Sequence, residues 1–170
     1  ITSVIDESPV LDKNMLLLTK KLSDYYCCSW GEAIETALPQ ALRKGRTLPA
    51  LPENVKQVPG HIAGKQRNLL IHDLEGTKRW DIYLKEIKET LGKNKSALLL
   101  FPDKNSVLRA KEIINSKITA SLSVLSREGS GELQEWAKIR DGKADIVIGS
   151  RSSIFAPLDN LGLVIIDEEC

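Results

Sequence analysis

The fold is decided by the stretch Ala97-Leu98-Leu99-Leu100-Phe101, in which five consecutive apolar residues are followed by Pro102. So short and uniformly apolar a run predicts a strand buried on both faces, because a half-exposed strand would alternate apolar and polar residues. Further strands are predicted at 69–71, 120–125, 146–148 and 163–166.

Amphipathic helices are predicted between these strands. Each has apolar residues at three- and four-residue steps, and the three sets are Leu84, Ile87 and Leu91; Val107, Ala110, Ile113 and Ile114; and Leu133, Trp136 and Ala137. Apolar strands that alternate with such helices indicate a mainly parallel sheet covered on both faces. The sequence therefore predicts a three-layer α/β/α domain over residues 68–170.

The preceding part of the chain is predicted to be helical over residues 1–45. Asp12 is a plausible N-cap for a helix whose apolar face carries Met15, Leu18, Leu22 and Tyr25. A second helical pattern is interrupted at Pro39, where we expect the helix to end or a new turn to start. Residues 46–67 contain prolines and glycines without either periodicity, which predicts a linker. Its basic residues are explained equally by solvation or by contact with phosphates.

The composition excludes several classes of protein. Hydrophobic residues make up 42% and charged residues 28% of the chain, as in soluble globular proteins. The net charge of +1 argues against a surface that wraps nucleic acid, although a local basic face remains compatible with it. We find no apolar run of membrane-spanning length and no metal-ligand spacing among the three cysteines and two histidines. We therefore expect a cytoplasmic protein with no metal site and no membrane contact.

Three acids, Asp167-Glu168-Glu169, follow the last predicted strand. In a parallel sheet, ligands bind beyond the carboxyl ends of the strands. A first carboxylate there suits a Mg²⁺ ion and a second suits the orientation of an attacking water, so Asp167 and Glu168 are the candidate catalytic residues. The same pattern is also that of a solvated strand end.

A phosphate-binding loop would belong between the first predicted strand and helix, at Asp73-Leu74-Glu75-Gly76-Thr77-Lys78-Arg79-Trp80. A working loop reads G-x-x-x-x-G-K-[ST], because glycines let backbone N–H groups close around phosphate. Here Asp73 and Lys78 stand at the glycine positions, Arg79 at the lysine and Trp80 at the hydroxyl. We interpret the loop as degenerate.

Two longer blocks of sequence are more specific than these patterns. The first comprises residues 3–10 with 24–26, 31–32, 37–39 and 42–45, and the second comprises 148–157 with 161–169. They resemble, respectively, the end of the amino-terminal DNA-binding region and the run through helicase motif II in the PriA family (primosomal protein N'), the DNA helicases of replication restart. Phe101-Pro102-Asp103 resembles motif Ia of that family, and Asp81-Ile82-Tyr83 resembles the residues after its phosphate loop.

The resemblance implies a fold and a set of site residues. Residues 68–170 would be part of the first RecA-like motor lobe, and residues 1–45 would close the DNA-binding region. ATP and Mg²⁺ would be the cofactors, with Gly76, Thr77, Lys78 and Arg79 as the candidate contacts. DNA would contact Pro102, Ser150, Arg151 and Ser152.

The departures from the family set the functional expectation. The family's D-E-E-H ends here in Cys170, and the resemblance stops at motif II, so we expect a truncated and degenerate relative without a second motor lobe. We expect it to bind single-stranded or forked DNA, with primosome and single-strand-binding proteins as implied partners. We also expect no tightly bound cofactor and no ATPase activity. Two alternatives stay open: an active ATP-dependent helicase fragment that needs further domains, and a non-enzymatic DNA or primosome interaction module.

Overall fold

A four-stranded sheet organises the part of the chain that the structure describes. This computed structural model describes residues 9–48, 67–74, 76, 78–126 and 131–167. The strands are β1 (Ser96–Phe101), β2 (Leu122–Leu125), β3 (Ile146–Ser150) and β4 (Leu161–Ile166), in the spatial order β2-β3-β1-β4. All three pairings are parallel, as the apolar runs predicted.

Helices cover both faces of this sheet. On one face, α4 (Lys78–Leu91) and α5 (Lys104–Lys117) bury Ile87 and Ile114 against Leu99 of β1. On the other face, α6 (Glu132–Arg140) buries Trp136 against Leu98. The fully apolar β1 is explained by its central position, because each of its faces lies under a helical layer. The predicted α/β fold is confirmed, and its architecture is that of a single RecA-like lobe.

The amino-terminal segment is helical and packs onto the second face of the sheet. It forms α1 (Lys13–Tyr26), α2 (Trp30–Ala37) and the short α3 (Gln40–Arg43). Asp12 caps α1 by accepting a hydrogen bond from the backbone N–H of Met15, and Pro39 separates α2 from α3. Apolar residues of this segment join the cluster that contains Trp136, namely Leu11, Met15, Leu16, Ile34 and Leu38.

The predicted apolar face of α1 is partly wrong. Leu18 is 37% exposed and Tyr25 is 79% exposed, whereas Thr19 and Ser23 are the buried residues of this helix. Both hydroxyl groups donate to carbonyl oxygens one turn earlier, to Leu16 and Lys20, so that they can be buried without loss of a hydrogen bond. Small residues at this face let α2 approach closely, which periodicity of large apolar residues could not indicate.

The predicted strand at residues 69–71 is also wrong, because these residues have no strand structure. Leu69 and Leu70 are 54% and 91% exposed, and Ile71 alone contacts the core. Three apolar residues bury too little surface to fix a strand when no neighbouring backbone pairs with them. Most of the predicted linker lies outside the described residues.

Candidate functional site

The carboxyl ends of three strands bring the predicted site residues to one edge of the sheet. Asp167 follows β4, and its backbone N–H donates to the carbonyl oxygen of Leu100 on β1 at 2.9 Å. Pro102 follows β1, whose last residue is in register with Ser150 at the end of β3. The candidate nucleotide and DNA residues therefore share this edge, where parallel sheets bind ligands. Glu168 and Thr77 lie outside the described residues.

Asp167 is a buried carboxylate whose charge is balanced within the chain. Its side chain is 4% exposed, and its Oδ1 lies 3.1 Å from Nε of Arg79. The same oxygen accepts a hydrogen bond from the hydroxyl of Tyr83 at 2.8 Å. A buried carboxylate needs such partners, because an unpaired charge is strongly disfavoured away from water.

The start of α4 places Arg79 beside this carboxylate. The backbone N–H of Arg79 donates to Oδ2 of Asp73 at 2.9 Å, so Asp73 binds the first turn of the helix. Gly76 lies between them with φ of +73°, a conformation that side chains disfavour. Asp73 thus has a structural role that its position in the segment 73–80 did not predict. Asp73 precedes Arg79 by six residues, whereas an ordinary N-cap accepts from an N–H two or three residues further along the chain.

Aromatic side chains form the wall behind the carboxylate. The ring of Trp80 stacks on Phe101 with centroids 6.2 Å apart, and it meets Tyr83 edge to face at 5.6 Å. Burial and the hydrogen bond to Asp167 raise the pKa of the Tyr83 hydroxyl well above its usual range, so it stays a neutral donor. Sequence analysis missed Tyr83 as a site residue, since an aromatic residue at a helical step is ordinarily a core residue.

The predicted DNA residues form a continuous strip beside this wall. Ser150 ends β3, and the 3₁₀-helix η1 (Arg151–Phe155) follows directly. Arg151 is exposed, and the hydroxyls of Ser150 and Ser152 lie 3.1 Å apart. The strip therefore places one exposed cation and two partly buried hydroxyl groups at the edge that Asp167 also occupies.

The position of this strip is fixed by close contacts of η1 with the ends of β2 and β3. The hydroxyl of Ser153, which is 1% exposed, donates to the carbonyl oxygen of Leu125 at 3.0 Å and ties η1 to β2. A Cβ on Gly149 would lie 2.5 Å from that same oxygen and would overlap the side chain of Ser153. Glycine is therefore required at residue 149 for η1 to fold over the end of β3.

No group of three or more His, Cys, Asp or Glu side chains placed to hold a metal ion occurs within the described ranges. None of the helices described is long and apolar enough to span a bilayer.

A parallel sheet covered on both sides, with a buried acid after its edge strand, places the described part of the chain in the class of RecA-like α/β lobes. Comparison with known proteins narrows this class. Residues 1–39 match the PriA 3'DNA-binding domain (3'BD) family.

Similarity to curated proteins extends over the rest of the chain. Three such relatives are each a replication restart protein PriA. That of Treponema pallidum (strain Nichols) is 28% identical over 99% of this chain and 28% of its own length. That of Rickettsia felis is 30% identical over 94% of this chain and 27% of its own. That of Bacillus subtilis (strain 168) is 40% identical over 59% of this chain and 13% of its own. The resemblance to PriA is confirmed, and the chain spans about a quarter of the length of the first two relatives.

Proposed function

We propose that this protein is a PriA-like DNA-binding protein of replication restart that does not hydrolyse ATP. The observation that carries the proposal is the contact of the Arg79 guanidinium with Asp167, at 3.1 Å, at the strand end where a nucleotide-bound Mg²⁺ would be needed. The similarity to replication restart proteins supports the role, and the match of residues 1–39 to a DNA-binding domain supports the ligand.

The residues at this edge do not fit ATP with Mg²⁺. A carboxylate that binds Mg²⁺, directly or through water, must present free oxygen lone pairs to it. Oδ1 of Asp167 already contacts one cation and one hydroxyl group, and the carboxylate is buried. Trp80 has no oxygen for the metal, and Asp73 would repel a polyphosphate. Arg79 is not equivalent to the lysine of a phosphate loop, because its planar guanidinium forms a fixed fork instead of a point charge.

Two measurements test the absence of ATPase activity. Isothermal titration with Mg-ATP should give no resolvable heat of binding, and a phosphate-release assay should give no signal with or without single-stranded DNA. Micromolar binding that is lost in Asp167→Asn would contradict the proposal and would restore the alternative of an ATP-dependent motor fragment.

The strip of Ser150, Arg151 and Ser152 supports contact with the DNA backbone. Arginine and hydroxyl side chains are common phosphate partners, and such contacts position a protein without reading sequence. Arg151 is exposed at the carboxyl edge of the sheet, directly after Ser150, which is in register with Phe101. Weak, salt-dependent binding of single-stranded or forked DNA is therefore expected, with primosome and single-strand-binding proteins as the partners that a role in replication restart implies.

Fluorescence anisotropy with labelled single-stranded and forked DNA tests this contact. Arg151→Ala should weaken binding and should reduce the slope of log affinity against log salt by about 0.7, the value for one single-strand phosphate contact. Lys117→Ala is the matched control, because it also removes one exposed cation. Lys117 is the last residue of α5, which begins after the carboxyl end of β1, so it lies away from the edge where Arg151 is found. Equal, salt-independent signals for wild type and Arg151→Ala would exclude a role for Arg151.

A further inference from the structure

Two adjacent tyrosines at the end of α1 form an exposed aromatic pair. Tyr25 is 79% exposed and Tyr26 is 69% exposed, and their rings meet edge to face with centroids 4.9 Å apart. Consecutive residues on a helix normally point in directions that differ by about 100°. The ring contact therefore brings two side chains together on the surface, away from both core clusters.

This pair lies on a helix that has more positive than negative side chains. Helix α1 contains three lysines and one aspartate, whereas the whole chain has a net charge of +1. Lys20 contacts Asp24 at 2.9 Å, while Lys21 forms no ion pair within the described part of the chain. Lys21 precedes Tyr25 by four residues, so both side chains lie on one face of the helix, about 6 Å apart along its axis.

We propose that Tyr25 and Tyr26 form a stacking platform for an unpaired base of single-stranded DNA, with Lys21 beside the adjoining phosphate. This inference rests on the DNA binding proposed above and adds a second contact on a different helix. An edge-to-face pair leaves the outer face of a ring free, and aromatic faces bind any base because every base has a π-face. The helix C-terminus carries partial negative charge, so the phosphate is expected on the side of Lys21 and the base at the helix end.

The chemistry of this surface favours DNA over a protein partner. Cores of protein interfaces are depleted of lysine, whereas surfaces that bind single strands combine basic residues with aromatic rings. The 3'DNA-binding domain match also includes Lys21, Tyr25 and Tyr26. The lysine and the aromatic rings thus both favour a nucleic acid as the ligand of this surface.

The test compares the intact chain with Tyr25→Ala/Tyr26→Ala and Tyr25→Phe/Tyr26→Phe, using a fluorescein-labelled single-stranded oligonucleotide. One lost stacking contact should weaken binding about 5- to 150-fold, with an unchanged salt slope, because stacking releases no counterions. The phenylalanine pair should bind within about threefold of wild type, since its rings remain. Binding of dextran sulfate, a polyanion without bases, should be equal in all three proteins.

Two results would overturn the platform alone. One is that the alanine pair binds DNA as wild type does while Arg151→Ala weakens it. The other is a dimer in sedimentation that the alanine pair dissociates without a change in DNA affinity, which would assign the tyrosines to a second copy of the chain. Absence of DNA binding by wild type would overturn the platform together with the proposed function.

Discussion

At the scale of single residues, the decisive feature is that Asp167 finds its countercharge inside the chain. Arg79 lies 3.1 Å away with its side chain 22% exposed, and Asp167 itself is 4% exposed. Loss of Arg79 would destabilise the fold more than the attraction between the two side chains stabilises it. The reason is that Asp167 would remain as a buried carboxylate without a cation, which is costly.

We therefore expect Arg79→Ala to lower the free energy of unfolding by about 3 kcal/mol, near the lower end for a broken buried pair because Arg79 retains some exposure. Urea denaturation measures this change. Lys85→Ala is the matched control on the same helix, since its ion pair with Glu89 is exposed and long at 3.9 Å, and its effect should stay within about 0.5 kcal/mol. Equal effects for the two variants would show that Arg79 and Asp167 are not paired.

Ionisation of the Tyr83 hydroxyl should make the free energy of unfolding depend on pH in the alkaline range. Its folded-state pKa is raised by burial and by Asp167, so the folded state holds this proton more tightly than the unfolded chain does. The resulting stability is complete below about pH 10, the ordinary pKa of tyrosine, and is lost as pH rises toward the higher folded-state pKa. The gap in unfolding free energy between wild type and Tyr83→Phe should therefore narrow above about pH 10. A gap that is constant from pH 8 to pH 11 would contradict this linkage.

Sequence predicted the individual members of this site better than their contacts. Asp167 was singled out because acids follow an apolar strand, and Arg79 was singled out by comparison of residues 73–80 with the pattern of a phosphate loop. Their pairing joins residues far apart in the chain, and Tyr83 joins it from a helical position that periodicity assigns to the core. No local pattern encodes such a contact.

At the scale of elements, close backbone approach decides where the strip of Ser150, Arg151 and Ser152 lies. The turn from β3 into η1 passes under the hydroxyl of Ser153, whose bond to Leu125 requires a residue without a side chain at 149. Exposure of Arg151 depends on this geometry, because η1 begins at that residue.

Gly149→Ala should lower the free energy of unfolding by about 1–3 kcal/mol or more, as overpacking of a filled site does. Gly31→Ala is the control with the opposite sign, because Gly31 lies in α2 and a Cβ there would lie 4.0 Å from the hydroxyl oxygen of Ser29, without overlap. That change should raise stability by up to about 1 kcal/mol through helix propensity. Thermal unfolding of both variants distinguishes a packing effect from a general intolerance of alanine.

The elements themselves were predictable where an apolar run or a helical repeat was continuous in the sequence. Strands β1, β3 and β4 and helix α4 follow directly from apolar runs and helical steps. The predictions failed where burial did not follow the hydrophobicity of the residue: Leu69 and Leu70 are apolar yet exposed, and Thr19 and Ser23 are polar yet buried. In both cases the outcome depends on which surface lies opposite, which the local sequence does not contain.

At the scale of the whole molecule, the amino-terminal helices complete the second layer over the sheet. Leu98 and Leu100 of β1 share a core with Leu38 and with Trp136 of α6. One polar contact reinforces this junction, since Oε2 of Glu132 accepts the backbone N–H of Gln40 at 3.0 Å. Helix α3 has no capping side chain of its own, so a side chain of α6 satisfies its first turn.

Because the helical segment and the sheet share this core and the hydrogen bond from Gln40 to Glu132, we expect them to unfold as one cooperative unit. Glu132 is 9% exposed, so Glu132→Ala would leave the N–H of Gln40 without its acceptor in a poorly hydrated place, at a cost of about 1–3 kcal/mol. Hydrogen exchange of this variant should then show amides of α1 to α3 losing protection more than those of β1, because the weakened junction lets the segment open without the sheet. Glu132→Gln, whose amide oxygen can still accept the bond, should retain most of the protection. Independent exchange of the helical segment already in wild type would instead mean that these helices and the sheet are separate folding units, and that the shared core around Trp136 does not couple them.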